Sequence, residues 1–186
     1  MKRVMALALV LTGSIQGTPA SAGIVESLEP TALFLQAGFG DDHTDSYLGG
    51  ATWNWRWRRE FALGTLTGFN EVAFGRWSTR VDGISGSAWV TQVDLTPVFR
   101  LQPHAWGDRW FIEGGIGANV ILPIWRSSEK RFSTQFNFGD HLAVGRYFGE
   151  ERVSELAVRV EHFSNGGIDH PNPGENFIQV RYTHHL

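Results

Sequence analysis

The chain has 186 residues, a formal net charge of −3, 8 Trp, 13 Phe, 22 Gly and no Cys. An acidic chain lacks the Lys and Arg surplus that neutralises phosphates, which excludes a nucleic-acid partner, and without cysteine there is no disulfide framework. One domain is expected at this length, and beyond residue 22 no apolar run approaches the ~20 residues of a transmembrane helix.

Residues 1–22 read as a secretory signal peptide. Lys2 and Arg3 supply the positive start, residues 4–11 the apolar core and Ala20-Ser21-Ala22 the small-residue cleavage site. Removing them takes the net charge from −3 to −5, and the fold is expected to occupy 23–186. Export, the aromatic surplus, many glycines and little helical periodicity together predict an all-β protein. The expected architecture is an eight-stranded antiparallel transmembrane β-barrel in the outer membrane.

Residues 23–30 read as a periplasmic lead-in and 31–40 as the first strand. It ends at Asp41-Asp42-His43-Thr44-Asp45, which lacks the Gly and Glu placement of a calcium loop and is expected to be a solvated outer loop. The second strand is read from Trp53, Trp55 and Trp57 alternating with Thr52, Asn54 and Arg56, a period of 2 with an outward apolar face. Segments 67–78, 88–101, 110–122, 135–148, 154–164 and 175–186 complete an even count, at lengths that cross a bilayer when tilted. Trp77, Trp89, Trp106, Trp110 and Trp125 lie near strand ends and suit interfacial aromatic girdles. Asp94, Arg100, Glu113, Arg159, Glu161 and Arg181 fall on inward faces, where pairing in a narrow lumen offsets desolvation.

The stretch with chemistry in it is 160–177. Leu156, Val158, Val160, His162 and Ser164 share the outward face of the seventh strand. At about 3.3 Å rise per residue the Cα atoms of His162 and Ser164 are about 6.6 Å apart, so a base and a nucleophile stand side by side. Asn165, Gly166 and Gly167 add a carboxamide and a backbone permissive enough to aim N–H groups at an oxyanion. The Pro171-Asn172-Pro173-Gly174 turn then returns Glu175 or Asn176 as a possible orienting third member. A strand with no catalytic role supplies His-x-Ser equally well. The residues alone therefore leave open a structural or adhesive barrel and a soluble periplasmic lipid-binding barrel. His170, His184 and His185 are not spaced to share a metal with a third ligand, and there is no phosphate loop, dinucleotide fingerprint or G-x-S-x-G elbow.

The run His162-Phe163-Ser164-Asn165, followed by Gly167, Pro171-Asn172 and Gly174, resembles the signature of the PagL-type lipid A 3-O-deacylases of Gram-negative outer membranes. That resemblance implies a serine esterase that cleaves the 3-position acyl ester of lipid A in the outer leaflet and releases a 3-hydroxy fatty acid. Ser164 would be the nucleophile and His162 the base, with Asn165 and Gly167 at the oxyanion and no metal or organic cofactor. The implied partner is lipid A or lipopolysaccharide within outer-membrane lipid; the oligomeric state stays open, a homodimer included. In the best-matched family members the third residue is a glutamate fourteen positions after the histidine, a position held here by Asn176, with Glu175 just before it. Parity from Tyr182, Val180 and Ile178 turns Asn176 outward and Glu175 inward, unless a bulge near Pro173-Gly174 exchanges them. Arg126, Lys130 and Arg131 are placed to meet lipid A phosphates, or form a solvated cluster.

Overall fold

A computed structural model describes residues 28–83 and 86–186; the expected signal peptide lies outside them. Alternation of outward apolar and inward polar side chains produces nine strands among the described residues. They are β1 Ala32–Gly40, β2 Asp45–Asn54, β3 Arg59–Phe61, β4 Gly64–Arg80, β5 Ser87–Pro103, β6 Trp110–Leu122, β7 Phe136–Phe148, β8 Ser154–Ser164 and β9 Glu175–His185. Each strand pairs antiparallel with its neighbours, β1 joins β9, and β2 bypasses the three-residue β3 to join β4. Eight strands therefore close into a barrel, which removes the edges an open sheet would expose.

The two faces of the wall have opposite chemistry. Leu35, Phe74, Leu95, Ile116, Leu142, Val158 and Val180 are exposed on the outside, while Glu71, Arg100, Glu113, Glu155, Arg159 and Arg181 are buried within. A soluble lipid-binding barrel needs the reverse, so this wall is built to face lipid. No helix among the described residues is long and apolar enough to cross a membrane; the strands do so. Inside, Arg100 Nε donates to Glu113 at 2.9 Å and its Nη1 to Glu155 at 2.5 Å. Arg159 binds both oxygens of Glu71 at 3.2 Å, and Arg181 also binds Glu71. Paired in this way, the charges carry their partners with them out of water.

Three details differ from the sequence reading. The second strand begins at Asp45, and the Trp alternation marks its end: only Trp53 lies within it, while Trp55 donates its backbone N–H to Gly68 at 2.9 Å. The Trp55 indole covers Gly68, where a Cβ would be 2.2 Å from the ring, and both Trp55 and Trp57 stack near Phe99. Trp77 and Trp125 are fully buried rather than in the lipid girdle. Trp77 shares the inward parity of Glu71 and Ala73, and the loop after β6 folds back over the mouth, so both indoles pack with Phe132, Phe163 and Phe177. The acidic tract is a tight 3-10 turn, Asp41–His43, closed by Gly40 N–H to Thr44 O at 2.6 Å.

The rim reached by the end of β8 also carries the connections 41–44, 81–86, 123–135 and 165–174, whereas the opposite rim has 55–63, 104–109 and 149–153. Outer-membrane barrels have short periplasmic turns and longer outer loops. His162 and Ser164 lie at the rim that carries the two longest of these connections, 123–135 and 165–174.

Candidate active site

Strand register sets the site. His162 of β8 is opposite Asp140 of β7 and opposite Asn176 of β9. Gly40 of β1 is opposite Phe177 of β9, so one further step puts Asp41 across from Asn176. Asp41, Asn176, His162 and Asp140 therefore form one row across β9, β8, β7 and the turn that follows β1, and all four line the same outward groove. With a volume of about 880 Å³, this groove is otherwise walled mainly by apolar side chains, among them Phe39, Ile116, Leu142, Val160 and Ile178.

Within the row, His162 Nδ1 and Asn176 Oδ1 are 2.7 Å apart, and Asn176 Nδ2 donates to Asp41 Oδ2 at 2.9 Å. An ionised carboxylate only accepts, so Asp41 holds the amide with Nδ2 towards itself and Oδ1 towards the imidazole. His162 must then carry its proton on Nδ1, leaving Nε2 with a free lone pair. That Nε2 lies beside Gly174, where a Cβ would be 3.3 Å from it, and the β8–β9 register continued by one step brings Gly174 across from Ser164. Ser164 follows two residues after His162 on the same face of β8, at the level of Gly174.

Asn165 is buried and braces the turn that follows. Its Nδ2 donates to Ser133 Oγ and to Asp169 O, both at 2.9 Å, and its Oδ1 accepts the Gly167 N–H at 2.9 Å. Its own N–H goes to Asn172 Oδ1 at 3.0 Å. Both donors assigned to the oxyanion by resemblance are therefore already engaged. Gly166 and Gly167 have φ of +65° and +84°, a conformation that favours glycine.

Glu175 points inward, fully buried, and meets Lys130 Nζ at 3.2 Å; no bulge exchanges it with Asn176. Lys130 also donates to Asp41 at 3.2 Å, so it sits between two carboxylates, while Arg126 and Arg131 are joined through their backbones in an isolated antiparallel bridge and remain exposed. Hydrogen bonds from Asn176 and Lys130 hold the Asp41 carboxyl below its ordinary pKa. Burial disfavours charge on Lys130, but Glu175 and Asp41 outweigh it and raise the ammonium above its usual value.

Comparison with known proteins gives this geometry a setting. The family described as lipid A 3-O-deacylase (PagL) matches residues 45–185, more than half of the chain. The chain belongs to this family. The lipid A deacylase PagL of Bordetella bronchiseptica is 38% identical over 103 residues, covering 55% of this chain and 54% of that protein. The lipid A deacylase PagL of Pseudomonas aeruginosa is 28% identical over 139 residues, covering 74% and 76%. The match thus spans about half of the first relative and about three quarters of the second. A crystal structure of the outer membrane enzyme PagL is similar with a TM-score of 0.69 at 25% identity, covering 83% of this chain and 99% of that one. Membership and fold together make this PagL-family chain an outer-membrane barrel.

Two residues at the site were not legible as site residues. Asp41 reads in sequence as part of a solvated loop and Lys130 as a candidate phosphate contact, yet Asp41 accepts from Asn176 and Lys130 donates to Asp41. The only signal for Asp41 is its place just after β1, which becomes informative once β1 is known to pair with β9. Among the described residues no group of three or more His, Cys, Asp or Glu is arranged to hold a metal ion.

Proposed function

We propose that this chain is a lipid A 3-O-deacylase, hydrolysing the 3-position acyl ester in the outer leaflet and releasing a 3-hydroxy fatty acid. The observation that carries the reading is the 2.7 Å contact of His162 Nδ1 with Asn176 Oδ1 on the outward face, beside an apolar groove open to lipid. Ser164 Oγ attacks the ester carbonyl as His162 Nε2 takes its proton, and the imidazolium that forms keeps its Nδ1–H on Asn176. His162 then protonates the departing sugar oxygen. Water, deprotonated by the same nitrogen, releases the fatty acid from Ser164. Acyl carbons fit along Val160, Leu142, Ile178 and Ile116, so the substrate stays in the leaflet while its ester meets the serine.

The oxyanion is assigned to N–H groups of the turn 165–167. Because Gly167 N–H is held by Asn165 Oδ1, the developing oxyanion has to replace that amide oxygen as acceptor, and Asn165 serves chiefly to hold the turn in shape. Residues 1–22 are read as the export signal. Mass spectrometry of lipid A from cells with and without the protein tests the reading: loss of one 3-hydroxyacyl group at the 3-position is expected, and unchanged lipid A from cells with folded barrel in the outer membrane overturns it.

A further inference from the structure

Asn176 stands where the resemblance leads one to expect a glutamate, and an amide brings no charge to the imidazole. An amide is also two-faced: with its oxygen towards His162 it selects the Nδ1–H tautomer, and rotated by half a turn it selects Nε2–H, which removes the lone pair from the nitrogen assigned to the serine. Something has to choose between the two. We propose that Asp41 is a positioning residue of the reaction, fixing through Asn176 the tautomer of His162 and supplying from one residue further away the negative charge that a glutamate would supply directly.

The geometry is continuous: Asp41 Oδ2 to Asn176 Nδ2 is 2.9 Å, and Asn176 Oδ1 to His162 Nδ1 is 2.7 Å. Rotating the amide would turn its oxygen on the Asp41 carboxylate, two acceptors face to face, so the rotated form is disfavoured only while Asp41 is present and ionised. The carboxylate is itself held. It begins the turn Asp41–His43, in which Asp42 and His43 take φ of +55° and +54°, and Lys130 Nζ reaches it at 3.2 Å from the loop over the mouth. The other charged groups around the row are Asp42, which accepts from Ser127 Oγ, Glu175, which shares Lys130, and Asp140, across from His162 on the far side. Lys130 offsets the accumulation of negative charge, and its bond to Asp41 ties the loop 123–135 to the site.

The inference rests on the deacylase reading and is tested separately from it. The experiment uses the full barrel refolded in detergent, with purified lipid A as substrate and folding checked by heat-modifiable mobility. Nitrogen-15 histidine NMR reports the tautomer, the His162 signals being identified by their loss in His162→Asn. Wild type is expected to show Nδ1–H. Asp41→Ala and the isosteric Asp41→Asn are expected to shift His162 towards Nε2–H and to lower kcat roughly ten- to a hundredfold with KM little changed, short of the ~10²–10⁴ of general acid–base catalysis as a whole. Adding Asn176→Glu to Asp41→Asn should recover the rate, whereas Asn176→Glu alone sets two carboxylates against each other and should not exceed wild type. Folded Asp41 variants with the wild-type tautomer and kcat overturn the role of Asp41 and leave the deacylase reading standing. A wild-type barrel without deacylase activity overturns that reading, and the tautomer shift then still decides whether Asp41 orients His162.

Discussion

Gly174 lies against the His162 imidazole, so close that a Cβ there would be 2.6 Å from Cε1. The glycine also has φ of +72°, so two independent constraints meet at one position. Gly174→Ala is therefore expected to displace the ring from Asn176 and to reduce deacylation about as far as His162→Ala does. The barrel wall is untouched, and heat-modifiable mobility should stay native. Measurement of 3-hydroxy fatty acid release from the folded variant checks this, and a near-native rate would mean that the ring has room to spare.

Glu175 and Asn176 are neighbours with different surroundings. Asn176→Ala removes the hydrogen-bond partner of His162 Nδ1 and should lower the rate by roughly tenfold or more, within the range of acid–base effects. Glu175→Ala removes a buried partner of Lys130 under the mouth, which leaves Lys130 its bond to Asp41. That change should weaken packing of the loop 123–135 and alter kcat far less. Parallel kinetics on the two folded variants decide the order.

The turn after Ser164 depends on the amide of Asn165. Asn165→Asp keeps the shape but replaces two N–H donors with an acceptor; Ser133 Oγ can turn to donate to it, but the carboxylate is set against the Asp169 carbonyl oxygen. Loss of activity with an intact barrel is expected, together with faster proteolysis within 165–174. Limited proteolysis read by mass spectrometry measures it.

Inside the barrel, Arg159 neutralises Glu71, Glu113 and Glu161 at 3.2 to 3.8 Å. Arg159→Ala leaves those carboxylates short of a partner and should cost about 3–5 kcal/mol of stability, as removal of one member of a buried ion pair does. Its neighbour in the strand behaves differently: a label at Val158 should report lipid, because side chains alternate between the two faces. Urea unfolding of the reconstituted barrel and fluorescence quenching by lipid-bound quenchers read the two effects.

Much of this architecture is visible in the residues. The segment 154–164 coincides with β8, and 110–122 with β6, because apolar residues such as Ile112, Ile116 and Val120 or Leu156, Val158 and Val160 recur on one face while Glu113 and Asn119 or Glu155, Arg159 and Glu161 fall on the other. The reading fails where a pattern has two causes. Three alternating tryptophans look like the middle of a strand, yet they mark its end, where Trp55 covers a glycine and Trp57 lies past the ladder. Trp77 carries the inward parity of Glu71, a sign that was present but outweighed by the habit of aromatic residues at barrel rims. His162, Ser164 and Asn176 share an outward parity that strand alternation alone conveys. Asp41 is different: its role depends on the meeting of the first and last strands, a contact across the whole chain that local periodicity does not encode.

The central claim is that Ser164 is a nucleophile served by His162 on the lipid face. The most direct measurement is mass spectrometry of lipid A incubated with the folded Ser164→Ala barrel beside wild type. The account predicts a native, heat-modifiable barrel with release of 3-hydroxy fatty acid abolished in the variant and complete in wild type. Release at a near-native rate by the serine variant would contradict it.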